Sequence, residues 1–286
     1  MCNTSRQPVV VIGMHRSGTS LVTRSLETLG LFVGYRNDSN HEARFFQRLN
    51  NWLLYQSSAT WDQPTPIYDL LKDTETWGLI VDYLNREMRG LKTISFLGPA
   101  LYCRRKSIPA LELPWGWKDP RNTFTLPLWL EVFPGARIIH VYRHGVDVAY
   151  SLKKRRDKTF EKGKKRYLVQ RRLFGFKSKR GSFSHSLRCA SLEGAFSLWR
   201  EYMQAARSHV HDLREHTFEI GYEAFLADPQ ESLKMLAAFC DLSPTEQHIR
   251  QVTDSLNRDR AFAYRSNPNL HGFAERVSEQ LELYGY

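Results

Sequence analysis

The sequence predicts an α/β fold, a central parallel sheet flanked by helices. Three observations carry the prediction. Short apolar runs of strand length alternate along the chain with segments whose apolar residues recur at helical spacing. The runs are apolar at nearly consecutive positions, as in 8–12 and in 138–141 with His140 the one polar residue, which marks strands buried on both faces. Finally, 286 residues, 42% hydrophobic and 25% charged, suffice for a core of ordinary size, read here as a single domain over 1–286.

The elements follow in order. Residues 8–12, Pro-Val-Val-Val-Ile, form the first strand and end at Gly13; residues 17–29 place Leu21, Val22, Leu26 and Leu29 on one helical face, and Gly30 stops the helix. Helices are expected over 41–55 and 74–89. The stretch 115–120 reads as a short strand running into a turn, because Asp119-Pro120 disfavours helix. A helix over 123–133 carries Pro127 near its first turn, 137–142 is a strongly apolar strand, and 146–152 opens the next helix. Then come a helix over 191–213, a strand over 217–221, and helices over 229–240 and 273–283.

The net charge of +11 is concentrated in one place. Residues 153–188 hold 15 Lys and Arg against Asp157 and Glu161, so the rest of the chain is nearly neutral. With Gly163, Gly175 and Gly181 among the cations, this stretch is expected to be a mobile basic loop or insertion with a possible anionic partner. No apolar run reaches the length of a membrane span, and no apolar stretch precedes the first strand. Cys2, Cys103, Cys189 and Cys240 lack metal-ligand or redox spacing, so reduced thiols in a cytoplasmic protein are expected. The seven tryptophans are expected in the core more than in a pocket, and none is assigned to a site.

Two strand–helix junctions carry chemistry. The first, Gly13-Met-His15-Arg16-Ser17-Gly18-Thr19-Ser20, has the glycine spacing of a P-loop, with Thr19 where that loop has its lysine. Backbone N–H groups at a helix N-terminus bind anionic oxygens without the lysine. What is missing is the cation for the outer phosphates of a nucleoside triphosphate. At the second junction, Arg143 follows its strand at the edge where open α/β sheets bind ligands, and Ser151 lies two turns into the next helix. A guanidinium there grips a second anion in a bidentate fork.

These junctions resemble the sulfotransferase family that uses 3′-phosphoadenosine 5′-phosphosulfate (PAPS), in its bacterial and Golgi-type branch. Arg16-Ser-Gly-Thr-Ser20 resembles its 5′-phosphosulfate loop, and Arg143 with Ser151, eight residues apart, its 3′-phosphate site. Trp117-Lys118-Asp-Pro-Arg-Asn122 is similar to a Lys-x-Pro-Arg-Asn segment of the family, and Ile220-Gly-Tyr222-Glu-Ala-Phe225 to its Tyr-Glu-x-Leu element, whose tyrosine packs by the adenine. The ending Leu283-Tyr-Gly-Tyr286 is frequent in bacterial members, whereas 153–188 has no counterpart, and His15 stands where many members have proline. The resemblance implies a P-loop-like sulfotransferase architecture and sulfuryl transfer from PAPS to a hydroxyl or amine. The acceptor would be a small molecule, carbohydrate or glycolipid. His15, Arg16, Ser17, Gly18, Thr19, Ser20, Arg143, Ser151, Tyr222 and Arg265 would hold the cofactor.

Sulfuryl transfer, like phosphoryl transfer, rests on positioning and charge stabilisation. Cationic side chains, here Arg16 and Lys118, can take the part of a metal, so none is expected. The acceptor also needs a base. Glu42 at the start of the helix over 41–55 is the favoured candidate, against a reading as an acidic residue complementing the helix dipole. His15 and His41 are alternatives, and His140 is expected in the core. Two rival functions remain: a P-loop-type nucleotide kinase or NTPase, weakened by Thr19 and by Arg143 where a Mg²⁺-holding aspartate would stand, and a non-catalytic polyanion-binding protein resting on 153–188.

Overall fold

A computed structural model describes residues 6–176, 178–179 and 181–286. Cys2, and Lys177 and Arg180 of the basic stretch, lie outside the described residues. The chain divides into two compact units, one comprising the residues up to Arg143 with Tyr202–Ala261, the other His144–Glu201 with Phe262–Tyr286.

The first unit holds a parallel sheet of four strands, β1 (Val9–Ile12), β2 (Gly116–Lys118), β3 (Arg137–Tyr142) and β4 (Thr217–Gly221), in the order β2-β1-β3-β4. All four lie where the apolar runs predict. The register sets Val10 beside Ile138 and Trp117, and Ile139 beside Phe218. Because side chains alternate across a sheet, Val9, Val11, Ile139 and Val141 face one way. They form a core with Val22 and Leu26 of helix Thr19–Thr28 and with Leu233 and Leu236 of helix Pro229–Phe239. Aromatic residues gather around Trp117: the Phe46 ring stacks on it at 4.0 Å, and Trp129 meets it edge-on at 5.3 Å. Trp115, Trp117, Trp129 and Trp199 are buried, as expected of core residues.

Helix Asn122–Val132 contains Pro127 in its interior. Proline lacks the N–H that would meet the Thr123 carbonyl four residues back. His209 replaces it, its Nε2 lying 2.9 Å from the Thr123 oxygen, and burial keeps this imidazole below its usual pKa. The Thr123 hydroxyl is spent on the first junction, accepting the Gly13 N–H at 3.0 Å.

In the second unit the structure corrects the sequence reading of 153–188. Helix Gly145–Gln170 runs through the first half of that stretch, and a 3₁₀ turn follows at Arg171–Leu173. Lys, Arg, Glu and Leu are good helix formers, no proline interrupts, and Lys153 pairs with Asp157 one turn on at 2.7 Å. The cations and glycines that suggest a loop are compatible with a helix over this part of the stretch. The helix start is anchored by the Asp147 carboxylate, which accepts the N–H groups of Ala263 and Tyr264 at 3.2 and 2.8 Å. The tail expected as one helix over 273–283 is two short ones, His271–Arg276 and Ser278–Glu282. Helix Ile94–Arg105 and helix Glu246–Thr253 went unpredicted.

Candidate active site

Neighbouring strands β1 and β3 deliver the two junctions to the same edge of the sheet. After β1 the backbone turns through Gly13 (φ 131°), Arg16 (φ 74°) and Gly18 (φ 95°) into helix Thr19–Thr28. Arg16 is exposed and holds a left-handed conformation that costs a non-glycine residue about 1–3 kcal/mol. Ser17 is completely buried, and its hydroxyl has no hydrogen-bond partner among the described residues. Thr19 is buried and Ser20 partly so. His15 is half-buried, its ring 4.9 Å from that of Trp61.

Gly18 is fixed by close approach as well as by φ: a Cβ there would stand 2.3 Å from Cδ2 of Tyr222. The other side of this junction belongs to Arg143. Its Cζ lies 4.5 Å from the centroid of the same Tyr222 ring, and its Nη2 donates to the Arg260 carbonyl at 2.7 Å. The Tyr222 ring, itself buried, is therefore shared by the glycine turn after β1 and the arginine after β3. Ser151 is half-buried on helix Gly145–Gln170, and Arg265 is exposed with its guanidinium 4.2 Å from the Phe262 ring; both belong to the second unit.

Beside the turn lies a buried charge network. Lys118, the last residue of β2, is 1% exposed and Glu42 4%. Lys118 Nζ donates to Glu42 Oε1 at 3.1 Å and to Ser20 Oγ at 3.3 Å, while Ser20 Oγ donates to the Asn40 carbonyl at 2.8 Å. Arg121 Nη2 and Gln47 Nε2 both reach Glu42 Oε2, at 3.0 and 2.9 Å. Arg121 is aimed by Asp119, whose Oδ1 accepts its Nε at 2.7 Å. Burial and the nearby Asp119 carboxylate push Glu42 above the ordinary carboxylate range, against the pull of Lys118 and Arg121.

Glu42 does not open a helix as expected. The helix is Arg44–Gln56, and Glu42 precedes its cap in a short antiparallel bridge of Asn37 with Ala43. The cause is local. The Asp38 carboxylate accepts the N–H groups of Asn40 and Glu42 at 2.8 and 2.9 Å, and His41 turns left-handed (φ 57°) between them. Burial opposes ionisation of Asp38, yet these N–H donors hold its carboxyl below the usual value. His41 points to Glu27, 3.2 Å away. His140 is buried as expected, with Nδ1 2.8 Å from Glu219.

Asp38, Gln47, Asn50, Asp119 and Arg121 were not singled out from the sequence. Arg121 and Asp119 carried a signal, because they sit in the quoted Lys-Asp-Pro-Arg-Asn segment with Lys118. Asp38 carried the weaker signal of an Asp-Ser-Asn turn.

The fold of the chain is similar to that of the sulfotransferase domain from the Synechococcus PCC 7002 olefin synthase, at 14% identity over 98% of this chain and 95% of that one, with a TM-score of 0.54. Sulfotransferase STF9 from Mycobacterium avium aligns over 95% of this chain and 77% of that one, at 14% identity and a TM-score of 0.46. No curated relative matches the chain. Identities this low speak to the fold alone. The sequence model described as the Sulfotransferase family, however, matches residues 8–246 and so spans both junctions and the Glu42–Lys118–Arg121 network. A match of that extent means that the chain belongs to the sulfotransferase family.

Proposed function

We propose that the chain transfers a sulfuryl group from PAPS to a hydroxyl or amine of a small-molecule, carbohydrate or glycolipid acceptor, without a metal ion. The observation that carries this reading is the Tyr222 ring held between Gly18 and Arg143. A donor with a phosphosulfate at one end of an adenosine and a 3′-phosphate at the other needs two anion sites with an aromatic surface near both. The residues fit such a group. The turn over 13–20 offers backbone N–H groups at a helix start, and the buried Ser17 hydroxyl has a hydrogen bond still to make. Any side chain at position 18 would collide with Tyr222.

In this reading His15, Arg16, Ser17, Gly18, Thr19 and Ser20 hold the phosphosulfate, Arg143 the 3′-phosphate and Tyr222 the adenine. Ser151 and Arg265 join them on the sequence alone. When bound, the donor supplies an activated sulfuryl group and a bisphosphate leaving group. Lys118 and Arg16 stabilise negative charge as it moves onto the leaving oxygen. Lys118 is buried and tied to Ser20 and Glu42, so its position costs no reorganisation during reaction. Glu42 accepts the acceptor proton. A carboxylate has about four lone-pair sites, and the bonds to Lys118, Arg121 and Gln47 use three of them. Its raised pKa makes it a better base than an ordinary carboxylate.

The test is transfer of labelled sulfuryl from PAPS in the presence of a chelator, with a panel of a uronic-acid polysaccharide, a galactosyl lipid and a phenol. Labelling of at least one acceptor with release of adenosine 3′,5′-bisphosphate is expected. No labelling at all, together with Mg²⁺-dependent cleavage of ATP, would overturn the reading.

A further inference from the structure

The basic stretch of the second unit has no part in the sulfotransfer reading, and its surface is unusual. From Lys164 to Leu173 every residue is exposed, through the end of helix Gly145–Gln170 and the 3₁₀ turn Arg171–Leu173. Five of these ten residues, Lys164, Lys165, Arg166, Arg171 and Arg172, are cations. The sequence has no Asp or Glu between Glu161 and Glu193, and among the described residues Lys153 and Arg156 both pair with Asp157, earlier in the helix.

Apolar side chains stand among the cations. Val169 is 81% exposed, Leu173 59% and Phe176 95%, with Leu168 also exposed. They are not left over from poor local packing. Neighbouring aromatics have packed together, Tyr167 stacking on Phe174 at 5.7 Å and meeting Phe183 edge-on at 5.4 Å. Gly163 lets the chain at Phe183 approach so closely that a Cβ there would lie 2.7 Å from the Phe183 carbonyl oxygen. The local cluster is thus packed together, and it leaves Val169, Leu173 and Phe176 outside.

We propose that this surface docks on an anionic lipid bilayer. Cations alone would suit any polyanion, such as a nucleic acid or an acidic polysaccharide. Exposed aliphatic side chains among them gain nothing from a hydrated, charged polymer, and Val169 and Leu173 offer no ring for base stacking. Both features suit an interface where apolar groups enter the acyl boundary and cations meet anionic headgroups. No helix of the described residues is long and apolar enough to cross a membrane. The surface acts independently of the sulfotransfer reading, since none of its residues belongs to the proposed active site.

The full chain is sedimented with phosphatidylcholine vesicles and with phosphatidylcholine vesicles containing phosphatidylglycerol. Binding is expected only with the anionic vesicles and should weaken as salt rises. Lys165→Gln with Arg172→Gln should weaken it roughly 30-fold, and Val169→Ser with Phe176→Ser by about tenfold or more. All four side chains are exposed, so circular dichroism and melting temperature should stay unchanged, which separates lost docking from lost folding. Two results would overturn the proposal. One is failure of the wild-type chain to sediment with anionic vesicles. The other is undiminished binding by the Val169→Ser, Phe176→Ser variant; equal retention of that variant and wild type on heparin would then identify a general polyanion surface.

Discussion

Glu42 shows how the site depends on charges brought out of water together. Breaking a buried ion pair by removing one partner costs about 3–5 kcal/mol, because the remaining charge is stranded. Glu42 compensates two cations, Lys118 and Arg121, so Glu42→Gln has two effects. Its melting temperature should fall, and turnover should drop roughly 10²–10⁴-fold if the carboxylate is the base. The pH profile separates them. The base form exists above the pKa of Glu42, which burial raises, so wild-type kcat/KM should decline as pH falls through a value above the ordinary carboxylate range. That acid limb should vanish in Glu42→Gln. A limb that persists would leave Glu42 a structural role and move attention to His15 and His41. Gly18→Ala tests the turn. With φ of 95° and the Tyr222 ring 2.3 Å from the new Cβ, the variant should lose about 1–3 kcal/mol in urea unfolding and bind adenosine nucleotides more weakly. Wild-type stability in Gly18→Ala would mean that Tyr222 is free to move aside. Glu42 was named from the sequence as a candidate base at the start of a helix. Of its partners, Lys118 was named as well; Asp38 and Gln47 lie within five residues of Glu42 but belong to no motif, and Arg121 reaches it only through the fold.

At the scale of elements, polar joints hold the helices beneath the site. Asn50 of helix Arg44–Gln56 is wholly buried and uses its amide completely. Its Nδ2 donates to Asp119 Oδ2 and Asn122 Oδ1 at 2.9 and 2.7 Å, and its Oδ1 accepts from Thr125 Oγ1 and Trp129 Nε1, both at 2.8 Å. Asp119 in turn aims Arg121 at Glu42, so this joint ties two helices to the charge network. Asn50→Ala strands several buried polar groups, and each costs about 1–3 kcal/mol. A loss of at least ~3 kcal/mol in urea unfolding is expected, where an unconnected surface asparagine would change stability by less than about 0.5 kcal/mol. A loss below 1 kcal/mol would show that the network relaxes around the gap. Sequence periodicity found the helices, since it reads the apolar face. It could not find Asn50, whose importance lies in what four distant residues present to it. The helix through 153–170 was missed for the opposite reason: charge and glycine content masked a run with good intrinsic helix propensity.

Across the whole molecule, the order β2-β1-β3-β4 places β1 and β3 side by side, with crossovers leaving them in opposite directions. Such a switch point opens a crevice at the carboxyl ends of the strands, where the glycine turn and Arg143 stand. This much was legible, because consecutive apolar residues followed by a glycine turn or an arginine mark both strand and edge. The sharing of one Tyr222 ring by the two junctions was not, since it depends on how β4 leads into helix Tyr222–Ala227. The most direct measurement is calorimetric titration, in a chelator, of adenosine 3′,5′-bisphosphate and of adenosine 5′-phosphate into the wild-type chain and Arg143→Ala. The wild type should bind the bisphosphate without metal and more tightly than the monophosphate. Arg143→Ala should weaken the bisphosphate about 10- to 100-fold, the worth of a charge-assisted contact, and leave the monophosphate nearly unchanged. Equal weakening of both nucleotides, or no metal-free binding of the bisphosphate, would contradict the account.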